Sequence, residues 1–491
     1  MRGRLVVCLV LAGIVAALSQ AHAQKRPSAA APRASGARNS PPSPLRDPRI
    51  ARLADDAAAL PPEFAADGLI RIAGSARVAD SAWKASLLNE AFFLAYSALD
   101  AYRRTTPASI PIDTRQGVQL MASAMSLNRV SLQVRVAQLM AFINPRRARE
   151  LFEWIDYDPA PTRCEDLLVP AADEYYSALS LLARQAFGGG RDEALRFFEL
   201  YLWRAHLPSE MPAVARAMIR FDPLPTETPY FEALFSSILG TGSADARGFS
   251  ASASDIVSRA GDLQVFEARI GYRGIHLMES LRSYLVNQMK GPRCADSQAE
   301  SMTPSAFNAV LQRADLTYEV KLIDQPVAPA RMLGMAQLNP FWQTGEARAL
   351  RTRLMQLRGT GREPVSLQVR ATPEWQHDAE QALIAVDLWT GRSEPFEPDA
   401  LAEKSILYLG LLELVPPSPL RARTIQSFVD YLRHADRNAE DRTLWFAFVN
   451  RLLELSRGND RDDVLDALVN AHHPTLAVYA QLERLVPVGG R

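Results

Sequence analysis

Four side chains in one stretch, Trp375, Asp378, Asp387 and Trp389, bring together the residue types that cleave glycosidic bonds. One carboxyl protonates the leaving oxygen, a second activates water or attacks the sugar, and flat rings hold the substrate. The spacing argues for something plainer. Trp375 and Trp389 stand four helical turns apart on one face, where a helix presents its core. Aromatic residues make up 8% of the chain, few for a sugar cleft. Ser81-x-x-Lys84 has the spacing of a nucleophile and its base, but the S-D-N and K-T-G segments that complete such a site are missing. The histidines after the N-terminal segment are His206, His276, His377, His434, His472 and His473, with no H-E-x-x-H and no Cys/His cluster, so no metal is expected. His472-His473 before Pro474 reads as a helix end. Asp436-x-Asn438-x-Glu440 opens like a calcium loop, but Asp441 stands where glycine is needed and Ala447 where the closing Glu should be. No glycine-rich phosphate loop occurs, and no cofactor is expected.

Two cysteines share a context: Arg163-Cys164-Glu165-Asp166 and Arg293-Cys294-Ala295-Asp296, each in a turn-rich link. An even pair in an exported protein suggests a disulfide. The alternative is a pair of equivalent, separate positions in duplicated hairpins, each a small apolar plug.

Export is expected from the first residues. Arg2 and Arg4 precede a 14-residue apolar run, Leu5 to Leu18, and Ala21-His22-Ala23 has the small residues of a signal-peptidase site. Cleavage is expected between Ala23 and Gln24. The run is shorter than the roughly 20 residues that span a bilayer, and no later run approaches that length, so no membrane span is expected after cleavage. Residues 24–48 are rich in Pro, Ser, Ala and Arg and read as a basic, disordered tether. Cations and acids balance at 55 each, and only five of the cations are Lys. The arginines alternate with acids instead of clustering, which argues against a nucleic-acid surface.

From Arg49 onward, stripes of apolar residues recur at helical spacing. Trp83, Leu87, Ala91, Ala95 and Leu99, widened by Phe92 and Tyr96, predict a helix after an Asp80 cap and running toward Tyr102. Asn144-Pro145, Ser209, Thr372-Pro373-Glu374 and Asn459-Asp460 read as further helix starts. Breaks at 158–161, 188–190, 223–225, 240–242, 416–419 and 473–474 divide the chain into antiparallel hairpins. The expected fold is all-α, an irregular array of helical hairpins: an α-solenoid or an α/α toroid. Leu132 to Ile155, with Ala148-x-x-x-Phe152, resembles a tetratricopeptide hairpin, and Ala194-x-x-x-Phe198 repeats the spacing. The copies lie 46 residues apart, where that family uses 34. The resemblance implies hairpin geometry and nothing about ligands.

The expected divisions are a signal peptide (1–23), a tether (24–48), an N-terminal helical-repeat region (49–315), an irregular connecting segment (316–371) and a C-terminal helical region (372–491). Within the connecting segment, Tyr318–Leu322 and Val365–Val369 alternate like short strands or extended loops, and Thr344 to Arg358 reads as helix. Gly334-Met335-Ala336-Gln337-Leu338-Asn339-Pro340 is similar to the G-L-M-Q-L-M-P segment of lytic transglycosylases, which cleave peptidoglycan with one catalytic Glu. That resemblance implies Glu319 as the catalytic residue. Val320 departs from the Ser that follows that Glu, Arg331-Met332 from the preceding Gly-Ala, and three prolines interrupt the helix that should follow. The function expected is therefore an exported, non-catalytic helical scaffold whose concave surface binds a protein or peptide in the cell envelope. The alternative is a glycan- or peptidoglycan-active enzyme on a helical scaffold.

Overall fold

The computed structural model describes residues 46–98, 104–105, 113–166, 168–268, 276–295, 299–314, 316, 318–335, 337–338, 340–359, 364–390, 398–435, 442–455 and 460–486. The fold is all-α, with 21 helices among these residues. In chain order they are α1 Pro48–Ala58, α2 Pro62–Gly74, α3 Ser81–Ala95, α4 Arg115–Ser123, α5 Arg129–Ala141, α6 Pro145–Glu153, α7 Asp173–Gln185, α8 Arg191–Leu202, α9 Met211–Phe221, α10 Thr228–Thr241, α11 Ala246–Ala268, α12 Leu277–Lys290, α13 Ala299–Arg313, α14 Gly345–Arg358, α15 Leu367–Arg370, α16 Pro373–Leu388, α17 Pro398–Leu414, α18 Pro419–Ala435, α19 Arg442–Leu455, α20 Arg461–Asn470 and α21 Pro474–Leu485. Sheet is confined, among the described residues, to two short pairs. Strand β1 (Arg104–Thr105) pairs antiparallel with β2 (Val169–Pro170), and β3 (Pro292–Cys294) pairs in parallel with β4 (Arg331–Leu333). No described helix is long and apolar enough to cross a membrane.

Side-chain caps start many of these helices. Asp80 accepts from the amides of Ala82 and Trp83, Asn144 from Arg147, and Thr372 from Trp375, each satisfying donors that a first helical turn leaves open. Two expected caps serve otherwise. Ser209 lies in a 3-10 turn before α9, where the buried Glu210 carboxylate accepts from the His206 and Leu207 amides. Asp460 precedes α20, but its carboxylate takes the Arg421 guanidinium at 2.7 Å. Helix α3 ends at Ala95, short of the predicted end; Tyr96 turns out, and its hydroxyl donates to the Trp154 carbonyl at 3.0 Å. Trp83, Leu87, Ala91, Phe92 and Ala95 form the buried stripe, while Leu99 lies outside the described residues.

Residues from Leu45 onward form one compact unit. It begins slightly before the predicted end of the tether: Asp47 caps α1, and Arg46 pairs with Asp80 at 3.2 Å. Helices α3, α5, α7, α9, α11 and α13 pack side by side in that order, and α6, α8, α10 and α12 each return as the second helix of a hairpin. Ala148, Phe152, Ala194 and Phe198 are buried in two of these hairpins, small residues letting the helices approach and rings filling the space beside them. In the C-terminal half α16, α17, α18, α20 and α21 follow one another in contact.

The last helix packs against the first two. Helix α21 lies on α1 and α2; α1 and α2 approach so closely that a Cβ on Gly68 would sit 3.0 Å from the Ala57 Cβ, with Leu482 of α21 at ordinary contact distance, 3.7 Å. Charged groups of α2 meet partners on α5, α19 and α21. Asp67 meets Arg135 at 2.8 Å and accepts from the Tyr479 hydroxyl at 2.8 Å; Arg71 meets Glu483 at 2.6 Å; Arg442 meets Glu63 at 2.8 Å.

The segment after α13 runs as a strap along the array. Arg282 of α12 donates to the carbonyls of Lys321 and Leu322, Asn308 exchanges two hydrogen bonds with Ile323, and β4 joins β3. The strap then reaches α4, where Phe341 donates to the Asp113 carbonyl, and α17, where the Trp342 amide donates to Glu403 at 2.6 Å. Tyr318–Leu322 is an extended loop with no strand partner among the described residues. Val365–Val369 departs from the expected extended form: Ser366 caps Val369 and the chain turns into the short helix α15. The predicted helix at Thr344–Arg358 is α14, capped by Thr344.

Candidate functional site

Where α16 ends, its last carbonyls have no partner within the helix. Lys404 of α17 supplies one: its Nζ donates to the carbonyls of Asp387, at 3.2 Å, and Trp389, at 2.8 Å. A cation at this end also meets the negative pole of the helix. One turn along α17, Tyr408 donates its hydroxyl to Asp387 Oδ1 at 2.8 Å, and Ser427 of α18 donates to Oδ2 at 3.2 Å. One turn past Ser427, the Tyr431 ring faces the Lys404 ammonium at 5.0 Å. These groups, with Trp389, Thr390, Asp430 and His434, line a shallow, open cleft of about 390 Å³ between α16, α17 and α18.

Burial sets the electrostatics. It pushes the Lys404 ammonium below its usual range, against the pull of Asp387. Burial and then Asp387 push the Tyr408 hydroxyl far above its ordinary range, and burial does the same for Tyr431. Both phenols stay protonated at physiological pH. His434 engages the Asp430 carbonyl at 2.7 Å through Nδ1 and Arg433 through Nε2.

Two of the four sequence candidates for sugar chemistry, Asp387 and Trp389, line this cleft; the other two do not. Trp375 is buried and donates its indole N–H to the Leu357 carbonyl at 3.1 Å, and Asp378 is exposed elsewhere on α16. Asp378 and Asp387 stand nine residues apart, which places them on opposite faces of one helix, so they form no pair. Glu319 is an exposed residue of the strap, and Met335 and Leu338 from the transglycosylase-like segment are exposed on irregular backbone, without the helix that family's pattern requires. Ala23 and Gln24, and Asp436, Asn438, Glu440 and Asp441, lie outside the described residues; Ala447 is buried in α19. His472 and His473 fall between α20 and α21, with His473 against the Trp445 ring.

Cys164 and Cys294 are brought together in a disulfide, their α-carbons 5.4 Å apart. Both are buried. Strand β3 carries Cys294, and the loop holding Cys164 is fastened to the start of α11: Arg247 donates to the Cys164 carbonyl and Asp245 accepts from the amide and hydroxyl of Thr162.

A second acidic cluster has no counterpart in the sequence reading. Glu232 of α10 and Glu267 of α11 are both buried and repel one another. Glu267 accepts from the Tyr318 hydroxyl at 2.6 Å and the Leu277 amide at 3.1 Å, and the His276 ring lies against Tyr318. Desolvation first, and Glu267 second, push the Glu232 carboxyl up to about 8. The folded state therefore holds a proton that the unfolded chain releases above the ordinary carboxylate range, and stability falls as pH rises from there toward 8. Glu232→Gln is expected to flatten this part of the profile and to exceed the parent stability by about 2 kcal/mol at pH 8. Urea titrations of both proteins across that range provide the measurement; parallel profiles would refute the assignment.

Comparison of the chain with protein-family models, with curated proteins and with solved structures finds no match in any of the three.

Proposed function

We propose that this protein is an exported helical scaffold that binds a protein or peptide of the cell envelope through an aromatic ridge on α3 and α6. The observation that carries the reading is a cluster of large rings left in solvent. Phe93, Tyr96 and Trp154 are 51%, 40% and 48% exposed. Phe93 and Trp154 lie 6.2 Å apart, the Tyr96 hydroxyl holds the Trp154 carbonyl, and the Arg147 guanidinium covers the other part of the indole at 5.0 Å. Arg147 is itself held by Asn89 and Glu150. Fixed aromatic side chains and an ordered Arg supply contact area at small entropic cost, which is why such residues dominate protein interfaces. Exposed rings gathered in one place mark interaction surfaces better than single ones do.

Export draws support from the basic start, apolar run and Ala21-His22-Ala23 site, and from the buried Cys164–Cys294 bridge, which suits an oxidising compartment. The hairpin pairing of α5 with α6 and α7 with α8 supports the tetratricopeptide-like resemblance at the level of geometry.

The test is site-specific photocrosslinking in intact cells. A reactive side chain at Phe93 is expected to yield one discrete protein adduct, and the same group at the exposed Leu388 none. Trp154→Glu should remove the adduct while leaving helical circular dichroism and the melting temperature in place. An absent adduct, or one that survives Trp154→Glu, overturns the reading.

A further inference from the structure

We infer that the strap is a pH-sensitive latch: it opens locally from α11 and α12 as the medium passes from acid to neutral, and the buried carboxyls of Glu232 and Glu267 beside Tyr318 are its sensor. This goes beyond the scaffold reading and rests on none of the residues of the aromatic ridge. The first observation is a pair of buried acids with unmade bonds. Glu232 is 5% exposed and Glu267 8%. Oε1 of Glu232 and Oε2 of Glu267 have no hydrogen-bond partner, and neither carboxyl meets an arginine or lysine among the described residues.

The elements packed around the pair supply no spare cation. Glu232 is the one charged residue of α10. On α9, Arg216 is held by Asp173 and Asp255, and Arg220 by Ser177. On α11, Arg247 is held by the Cys164 carbonyl and Arg259 by Asp262. On α12, Arg282 is held by the strap carbonyls, while Glu279 and Lys290 are exposed, as are Arg313 of α13 and Glu319 and Lys321 of the strap. The groups that do face the pair are the Leu277 and Met278 amides at the start of α12, the Tyr318 hydroxyl, and His276, whose ring centre lies 3.9 Å from that of Tyr318. Holding two charges in this closed space is costly. The closed form therefore keeps a proton that a hydrated Glu232 gives up in the ordinary carboxylate range, and its own carboxyl is pushed up to about 8. An opening that lets water reach Glu232 is favoured as pH rises from that range toward 8, and gains nothing further above it.

The second observation is which element can open. Helices α10, α11 and α12 carry Phe231, Phe235, Phe266, Leu277 and Leu281, all buried. The strap beside them is irregular backbone with Glu319, Lys321 and Leu322 exposed. It is held by Arg282 on two of its carbonyls, by Asn308 on Ile323 and by the Tyr318 bond to Glu267. Segments with exposed backbone and few apolar contacts open before packed helices do. Tyr318 stands next to both acids, since the charges of Glu267 and Glu232 both act on its hydroxyl. Lifting the strap hydrates the pair and leaves the helices folded; acid closes it again.

The experiment is hydrogen exchange of the full chain resolved at the Ile323 amide, which donates to Asn308 at 2.8 Å. Rates are expressed as protection factors, so that the intrinsic pH dependence of exchange divides out. Protection is expected to fall by about tenfold or more between pH 5.5 and 7.5, and to stay below that of the Leu179 amide in α7 throughout. Glu232→Gln should remove this response and raise Ile323 protection at pH 7.5 by about tenfold or more. Tyr318→Phe, which cuts the bond to Glu267, should lower protection at both pH values. His276→Asn should leave the response in place, which separates the carboxyls from the neighbouring imidazole. The latch is overturned by a response that survives Glu232→Gln, by one that disappears in His276→Asn, by parental protection in Tyr318→Phe, or by equal protection at Ile323 and Leu179, which makes the opening global.

Discussion

Asp67→Ala is expected to destabilise the protein by about 3–5 kcal/mol, the range found when one member of a buried ion pair is removed. Asp67 is 7% exposed and each of its two oxygens has a partner, one Arg135 and the other the Tyr479 hydroxyl. Burial works to raise its pKa, but Arg135, Arg71 and the Tyr479 hydroxyl together hold the carboxyl below its usual range. The carboxylate therefore stabilises the fold above the ordinary carboxylate range, and this contribution disappears as pH falls through the lowered folded value. Removing it leaves Arg135 beside a buried phenol with no counter-charge, and Arg71 with Glu483 alone. Tyr479→Phe deletes only one hydrogen bond to the same carboxylate and should cost about 1 kcal/mol. Urea unfolding of the two variants measures both. If Asp67→Ala falls no further than Tyr479→Phe, the Asp67–Arg135 pair between α2 and α5 does not hold in solution as described.

Loss of the Cys164–Cys294 bridge is the other large effect expected. The bond closes a loop of 130 residues, and on the chain-entropy account such a closure contributes about 4–5 kcal/mol by restricting the unfolded chain. Replacing both cysteines with Ala should lower the urea midpoint accordingly, with circular dichroism of the native state unchanged, because the cost falls mainly on the unfolded ensemble. Chain beginning at Gln24 lacks Cys8, so denaturing it without reductant and titrating thiols should find none. Two free thiols would refute the bridge. Because both sulfurs are buried and the flanking loops are fastened through Arg247, Asp245 and β4, reductant should act only after partial unfolding.

The helices were legible because their causes are local. Asp80, Asn144 and Thr372 announce helix starts by chemistry that acts within three residues, and the Trp83–Ala95 stripe follows from the helical repeat alone. Extended backbone at Val365–Val369 was misread because alternation over five residues cannot compete with a Ser366 cap. The cleft was half legible. Asp387 and Trp389 stand out as a carboxylate beside a large ring, but Lys404, Tyr408, Ser427 and Tyr431 enter only when α17 and α18 pack on α16. A signal did exist: Glu403-Lys404-Ser405 interrupts an otherwise apolar helix, and all three are buried. The seam was illegible. Glu63, Asp67 and Arg71 recur every four residues along one side of α2, and their partners Arg442, Tyr479 and Glu483 lie at the far end of the chain.

That distance has a bearing on biosynthesis. Arg71 and Glu483 are separated by 412 positions, so a ribosome has nearly finished its work before the pair can form. Until then the nascent chain carries α1 and α2 with a bare apolar side and with Arg71 and Glu63 lacking the partners Glu483 and Arg442. Contacts so remote in sequence also close slowly. A chain assembled in this order stays loose while it is being made and tightens only after its last helix arrives. On the export reading proposed above, such lateness keeps the chain in a form able to thread a narrow membrane pore and defers the final docking to the far side.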